Sequence, residues 1–540
     1  MRCQRDGVHY IGFMNAPLLT ERFANDIKGT IECFDRIVLF GTYGSVAYPG
    51  AMESLLHLRG VRLIDYAQTY ANELRLAIAT HIRQCAADEN IPVIQVNAGQ
   101  RKESLVEGLL AKRGRREGVV CILGAMESCR TYKVGKNHQT GFLQLQWSPG
   151  KCQHYYIYLI DPALGLCHLR IPTWAPFRLQ FCFNGHDWLE RKLEAAGIRY
   201  TKADNCFTHI ADFPGAQRIA DSFDPKKIQP LLDRHAARWI ALHKSLGHHL
   251  QWSVYQAELS TDIVFRNESV LPDLYQQLTR TAAIEVQCPD IYRFLGKRQP
   301  SERSKAEASS RFQTLIQGTR IKHTLGKTNL KMYDKQNRVL RIECTTSDIT
   351  SFASYRKVAP RQPSTGKTAL NAASSSRSSK AKAAEPEGKY APMRKTLMSL
   401  GALREAMGAV NRRYLAFISQ WPDRTRERHD LRAITSPVRD DKGRSHRGID
   451  FFREQDLQLM TALMRGENQI RGLTTRGIGK HLHGWKPHKI GRALRRMREH
   501  GVLKKIARTH RYYLTKLGAS ILIAARQLIE RVIIPSLAAA

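Results

Sequence analysis

Residues Val358–Lys389 constrain the folding of this 540-residue chain more than any other stretch. They are rich in Pro, Ser, Ala and Lys, run through Ser374-Ser375-Ser376-Arg377-Ser378-Ser379, and offer nothing that could bury a core. Such a composition predicts a flexible basic linker, here residues 358–392, so the chain on each side must build its own core. Residues 1–130 alternate apolar runs (Arg36–Phe40, Val61–Ile64, Pro92–Val96, Val119–Leu123) with amphipathic stretches such as Tyr66–Asp88 and Lys102–Lys112, which predicts an α/β domain. Residues 131–250 read as an aromatic antiparallel sheet plus helices, and 251–357 as a β-rich central domain. Residues 393–540 read as helix almost throughout, broken by one short hairpin. The expected fold class is α+β and multi-domain: an N-terminal α/β layer, an antiparallel-sheet middle and a C-terminal winged helix.

Charge narrows the partners. Lys and Arg total 85 against 48 Asp and Glu, a formal net charge of +37. A surface so one-sided is matched by a polyanion, and neutralising phosphates releases their counterions. Membranes are the other polyanion, but no apolar run approaches 18 residues and Met1–Phe13 lacks a signal-peptide layout. The eleven cysteines lie between Cys3 and Cys344 with no CxxC spacing, which predicts free thiols and a reducing cytoplasm.

From Arg471 to Lys516 there are fourteen Lys or Arg and one acid, Glu499. Thr474–Leu482 reads as a short helix, Trp485-Lys486-Pro487 as a turn and His488–His500 as a longer helix. That helix sets Ile490, Leu494 and Met497 on one face and Lys489, Arg492, Arg495 and Arg496 on the other. Two strands follow, Val502–Ala507 and Tyr512–Thr515, around a tip that includes Arg508 and Arg511. Helix, turn, basic helix and basic hairpin together resemble the winged helix-turn-helix of MarR-type regulators. The resemblance implies that the long helix enters a major groove while the Arg508–Arg511 wing touches the backbone. The last helix, Leu517–Ile534, is apolar enough to pair with a second copy, so a homodimer is a further expectation.

The middle of the chain holds the chemistry-bearing residues. In Gln251–Phe265 the side chains alternate, with Gln256, Glu258, Ser260 and Asp262 on one face. Further on, Asn329–Lys335 and Val339–Cys344 form a hairpin around Gln336, Asn337 and Arg338. A three-residue loop pairs Lys331 with Glu343, Met332 with Ile342 and Tyr333 with Arg341, since a shift by one would break the apolar face. Lys331, Tyr333, Lys335, Arg341 and Glu343 then share one polar surface. If it adjoins the Glu258/Asp262 strand, carboxylates, cations and a hydroxyl converge, a mixture suited to phosphoryl transfer with Mg2+ or Mn2+. The string Lys331-Met332-Tyr333-Asp334-Lys335 followed by Leu340-Arg341-Ile342-Glu343 resembles plasmid rolling-circle replication initiators of the trans-acting Rep type. That resemblance implies Tyr333 as nucleophile, with Lys331, Lys335 and Arg341 around it and Glu258, Asp262 and Glu343 as metal ligands.

Lys151–Ile160, Gly165–Ile171 and Phe177–Phe183 read as neighbouring strands. Arg170, Trp174 and Arg178 at their edges, like Arg320 and Lys322 in Gly318–His323, are candidates for gripping nucleic acid by phosphate contact and stacking. No nucleotide cofactor is expected: Gly366-Lys367-Thr368 looks like the end of a phosphate loop, but the required glycine five residues before it is Arg361. Zinc at Cys152, His154, Cys167 and His168 is not expected either, because the hairpin register separates Cys152 from Cys167. Through Asp161–Leu169, Pro172-Thr173-Trp174, Phe183-Asn184-Gly185-His186 and Gly318–His323, the whole chain resembles a widespread, multi-copy bacterial family that behaves like a mobile-element gene; this implies no established activity.

The expected function is nucleic-acid binding, DNA ahead of RNA by a small margin, with metal-dependent strand nicking or joining as a mobile-element or replication-initiator protein. The alternative is a non-catalytic binder, either a component of a structured-RNA ribonucleoprotein or a winged-helix transcription regulator. The sequence leaves open whether the protein is an enzyme.

Overall fold

The computed structural model describes residues 17–97, 99–247, 249–297, 308–315, 318–357, 388–420, 431–465, 472–506, 509–529, 533–534 and 537. They fall into two compact units, Met1–Gln420 and Trp421–Ala540.

The first unit is built on strands β1 (Ile27–Tyr43), β2 (Val93–Gln95), β3 (Gly118–Lys136), β4 (Leu143–Asp161), β5 (Gly165–Pro172), β6 (Leu179–Asn184), β7 (Tyr200–Ala203), β8 (Cys206–Ile210), β9 (Leu250–Phe265), β10 (Ala308–Leu315), β11 (Gly318–Leu325), β12 (Thr328–Lys335) and β13 (Val339–Thr346). Eleven of these form one sheet in the order β10-β11-β12-β13-β9-β1-β6-β5-β4-β3-β2, while β7 and β8 make a separate hairpin. Among the described residues only the β2–β3 pairing is parallel. The α+β class is as expected. The domain boundaries at 130 and 250 are not: residue 130 lies inside β3, and residue 250 opens β9, which runs between β13 and β1 in the same sheet. The reason is long-range pairing. Strand β1 has β9 on one side and β6 on the other, both far along the chain, and no local pattern announces such partners.

Packing on β1 is tight enough to need glycine. A Cβ at Gly29 would lie 2.3 Å from the Phe213 ring.

The helix Leu400–Ile418 also belongs to this unit, so the expected 393–540 domain is divided. Its buried Asn411 explains why it sits on the sheet: the side-chain amide donates to the carbonyls of Leu259 (3.2 Å) and Ile342 (3.4 Å) and to Thr261 Oγ1 (3.1 Å). Of the expected linker, residues 358–387 lie outside the described residues. Its last five, Gly388–Pro392, form β15, antiparallel to β14 (Ala353–Lys357).

The second unit contains a small hairpin, β16 (Val438–Arg439) with β17 (Ser445–His446), then helices Glu454–Leu463, Thr475–Gly479 and Pro487–Glu499. A second hairpin, β18 (Leu503–Lys505) with β19 (Tyr512–Leu514), and the helix Lys516–Leu528 follow. Local chemistry sets these ends. The Thr474 and Thr515 hydroxyls cap their helices by accepting from Gly477 N (3.0 Å) and Gly518 N (2.9 Å). Pro487 opens the long helix, and Gly501, at φ +71°, lies just beyond its end. Leu459, Leu463, Ile478, Leu494, Met497, Val502 and Leu522 share one core. The order short helix, turn, basic helix, hairpin is the order the sequence predicts. No helix among the described residues is long and apolar enough to cross a membrane.

Candidate functional site

Strands β12 and β13 pair in the expected register, Lys331 with Glu343, Met332 with Ile342 and Tyr333 with Arg341. Strand β13 in turn pairs with β9, setting Arg341 against Asp262 and Glu343 against Ser260. The polar face expected from alternation therefore exists, and it is divided into two clusters.

The deeper cluster is Asp35, His186, Asp262 and Arg341. Arg341 and Asp262 are fully buried, and both Asp262 oxygens accept from the guanidinium, at 2.7 Å each from Nε and Nη2. His186 lies between the two acids, with Nδ1 3.1 Å from Asp35 and Nε2 3.5 Å from Asp262. Asn184 holds it there by capping the helix Gly185–Ala195, its side-chain oxygen accepting from His186 N at 2.7 Å. Burial, and then the charge of Arg341, oppose the charge on His186, yet Cys33 first and then the Asp262 and Asp35 carboxylates keep its pKa above the usual histidine value. Burial likewise opposes ionisation of Asp35 and Asp262, and the nearby Arg341 and His186 hold both below the usual carboxylate range. Two carboxylates, a guanidinium and the imidazole of His186 thus meet in the interior, with Arg341 Nη2 3.1 Å from His186 Nε2. Arg341 and Asp262 consequently lose the roles the sequence suggests. A guanidinium with no exposed surface cannot reach a substrate, and a carboxylate clamped at both oxygens has none left for a metal.

The shallower cluster centres on Glu343. Its Oε1 accepts from Lys331 Nζ (2.5 Å) and Thr345 Oγ1 (2.9 Å), and its Oε2 accepts from the Tyr333 hydroxyl. Glu258 is half-buried, takes a hydrogen bond from Gln256 (2.7 Å), and is pushed up by burial and then by the charge of Glu343. Asp35, Glu258 and Glu343, not the expected trio with Asp262, bring ligand oxygens within 4.8 Å of one another. Asp35 joins them because a register shift between Phe34 and Arg36 turns it to this face.

These carboxylates have the hardness for Mg2+ or Mn2+, but the donor set is taken. Asp35 accepts from Asn205 (2.8 and 3.1 Å) and faces Arg341 at 3.3 Å, and Glu343 holds an ammonium and two hydroxyls. A hard cation needs several oxygens at about 2.0–2.6 Å that are not already holding other cations. Among the described residues only Glu258 Oε2 is without a donor, so the set as arranged does not fit a resident divalent ion. Tyr333 is held as a phenol as well: burial, followed by Glu343, pushes it well above 10. Lys335 donates to Asn205 Oδ1, and burial lowers its pKa.

The second unit arranges its cations differently. On Pro487–Glu499, Ile490, Leu494 and Met497 are buried while Arg492 and Arg495 are exposed. Among the described residues neither arginine has a hydrogen-bond or ion-pair partner. The Lys489 ammonium lies 4.3 Å from the centre of the Trp485 ring. Arg496 departs from expectation. It is buried at the flank of the helix and paired with buried Asp456 of Glu454–Leu463, so it ties helices together. Arg511 is exposed in the β18–β19 turn, and Arg508 lies outside the described residues.

The remaining predicted contacts are on the sheet of the first unit. Arg170 on β5 is half-buried, Trp174 is 37% exposed just past that strand, and the Arg178 guanidinium lies 4.1 Å from the Phe40 ring. By register Arg320 sits opposite Tyr333 and Lys322 opposite Lys331. Sequence reasoning passed over Asp35, Arg36, Phe40 and Tyr255 as site residues, and read His186 as an edge group of the aromatic sheet, whereas it is fully buried. Only Asn184-Gly185-His186 carried a local signal, an N-cap residue directly after a strand.

No protein-family model matches the chain, and no curated protein or solved structure matches it.

Proposed function

We propose that the protein binds nucleic acid, and that its Trp421–Ala540 unit grips duplex DNA as a winged helix. In this reading the Pro487–Glu499 helix lies in a major groove and the β18–β19 hairpin rests on the backbone. The observation that carries it is Arg492 and Arg495, exposed and without partners among the described residues, on a helix whose opposite face is locked into the core. Phosphates would relieve that charge, which agrees with the +37 of the whole chain. The test is fluorescence anisotropy of the full chain on a labelled duplex. Arg492→Ala/Arg495→Ala should weaken binding by about a hundredfold, as expected when two arginines no longer reach phosphate or base edges. Unchanged affinity in a folded variant overturns the reading.

A second reading, metal-dependent nicking or joining of strands, draws on the closeness of Asp35, Glu258 and Glu343. Its requirement is that the Lys331–Glu343 pair open to admit the ion. Nicking abolished by both Tyr333→Phe and Glu258→Gln would support it; no nicking by the wild type with Mg2+ or Mn2+ would count against it.

A further inference from the structure

Between its two ends, the polar face of the large sheet carries an aromatic and arginine surface that neither cluster uses. The Phe40 and Tyr255 rings lie 4.4 Å apart, and Tyr255 is 44% exposed. The Arg178 guanidinium lies 4.1 Å from the Phe40 ring centre, and Arg36, on the same strand as Phe40, is exposed. The face is the same one throughout: β1 sets Arg36 opposite Glu258 and Asn184, and β6 sets Gln180 opposite Phe40 and Arg170. Across the sheet the register lines up Arg311, Lys322 and Lys331 on β10, β11 and β12, with Arg320 beside them. Arg320 donates only to the neutral Gln313 among the described residues. The Lys322 ammonium is held below its usual pKa by burial and then by the charges of Lys331, Arg320 and Arg311. Lys331 has Glu343 as its partner, but among the described residues Arg311, Arg320 and Lys322 have no carboxylate partner, and like charges so grouped are costly unless an anion shares them.

We propose that this sheet face is a binding surface for single-stranded nucleic acid, with exposed Tyr255, backed by Phe40, as the stacking ring and Arg311, Arg320 and Lys322 as the backbone track. A duplex does not suit it, because its bases are stacked on each other and present no free ring face. An acidic peptide could match the cations but has nothing for the rings. From Tyr255 to Lys322 is three strand spacings across and about five residues along, roughly 22 Å, which a short extended strand can bridge. Stacking on aromatic rings beside a cationic groove is how sheets hold single strands without reading sequence. The surface lies in the first unit and stands independently of the duplex reading.

The test is anisotropy of the full chain with labelled oligo-dT and, separately, with duplex. Tyr255→Ala should weaken oligo-dT binding by about fivefold or more, as the loss of one stacked base implies. Tyr255→Phe should keep it, and neither variant should alter duplex binding. Oligo-dT affinity within twofold of the wild type for Tyr255→Ala overturns the proposal, as does equal competition by polyglutamate that is indifferent to Tyr255. Should Tyr255→Ala fail to fold, photocrosslinking of iodouracil-containing oligo-dT to the wild type decides. Adducts on Phe40 or Tyr255 support the surface, and adducts confined to residues 421–540 overturn it. Loss of duplex binding in Arg492→Ala/Arg495→Ala with oligo-dT binding intact would separate this proposal from the duplex reading.

Discussion

Arg341 in the first unit and Arg492 in the second are both arginines on regular elements of a very basic chain, and they sit in opposite circumstances. Arg341 is fully buried, with both oxygens of Asp262 in its fork and Asp35 at 3.3 Å. Arg492 stands in solvent opposite an apolar helix face, with no partner among the described residues. A compensated buried charge holds a fold together, and removing its partner leaves a bare ion in a poor solvent. An uncompensated charge on a rigid element adds nothing to the fold and is available for an outside anion. The difference sorts the basic residues into those the fold compensates and those it leaves uncompensated among the described residues, which their number does not do. It also moves Arg341, Asp262 and Arg496 into the compensated group.

The largest effect should come from breaking the buried balance. Asp262→Ala is expected to cost ~3–5 kcal/mol in chemical denaturation of the first unit, because Arg341 is then buried without its main partner. It should leave the duplex affinity of the folded protein within twofold. A loss below ~1 kcal/mol would mean that the cluster is not the structural tie described above.

A smaller effect reports how strongly burial and the neighbouring cations disfavour a charge at His168. Burial, then the charges of Arg36, Arg170 and Lys102, hold His168 down at about 3. A histidine depressed in the fold takes its proton first in the unfolded chain. Its contribution is therefore present above pH 6.5 and is lost as pH falls towards 3. His168→Gln should remove ~2 kcal/mol of the change in unfolding free energy between pH 7 and pH 5. Identical pH profiles for wild type and variant would mean that His168 keeps its ordinary affinity for a proton in the fold.

The smallest effect expected is none at all. Millimolar Mg2+ should leave the Tm of the wild type unchanged, since Glu343 and Asp35 already hold their partners. A rise of several degrees that vanishes in Glu258→Gln would move the shallow cluster from the compensated group to a metal-binding one.

Much of this was legible locally. The β12–β13 register followed from alternation and loop length, because slipping Met332 against Arg341 would have broken the apolar face that Met332 shares with Ile342. The basic helix followed from the 3.6-residue spacing of Ile490, Leu494 and Met497. What could not be read was set by partners far away in sequence. Asp35 reaches the carboxylate trio only through a bulge on β1, and nothing in Phe34-Asp35-Arg36 signals one. Asp262 looked like a ligand because alternation gives its face but not its partner. Arg496 looked like its neighbours Arg492 and Arg495 until Asp456, forty residues earlier, came over it. The Leu400–Ile418 helix, placed after the linker by composition, packs on the sheet before it through Asn411.

If phosphate is the missing partner of Arg492 and Arg495, the salt dependence of duplex binding shows it most directly. Affinity should fall steeply with salt for the wild type, and Arg492→Ala/Arg495→Ala should flatten the log–log slope by about 2, close to one for each phosphate no longer neutralised. Equal slopes for the two proteins would contradict the account.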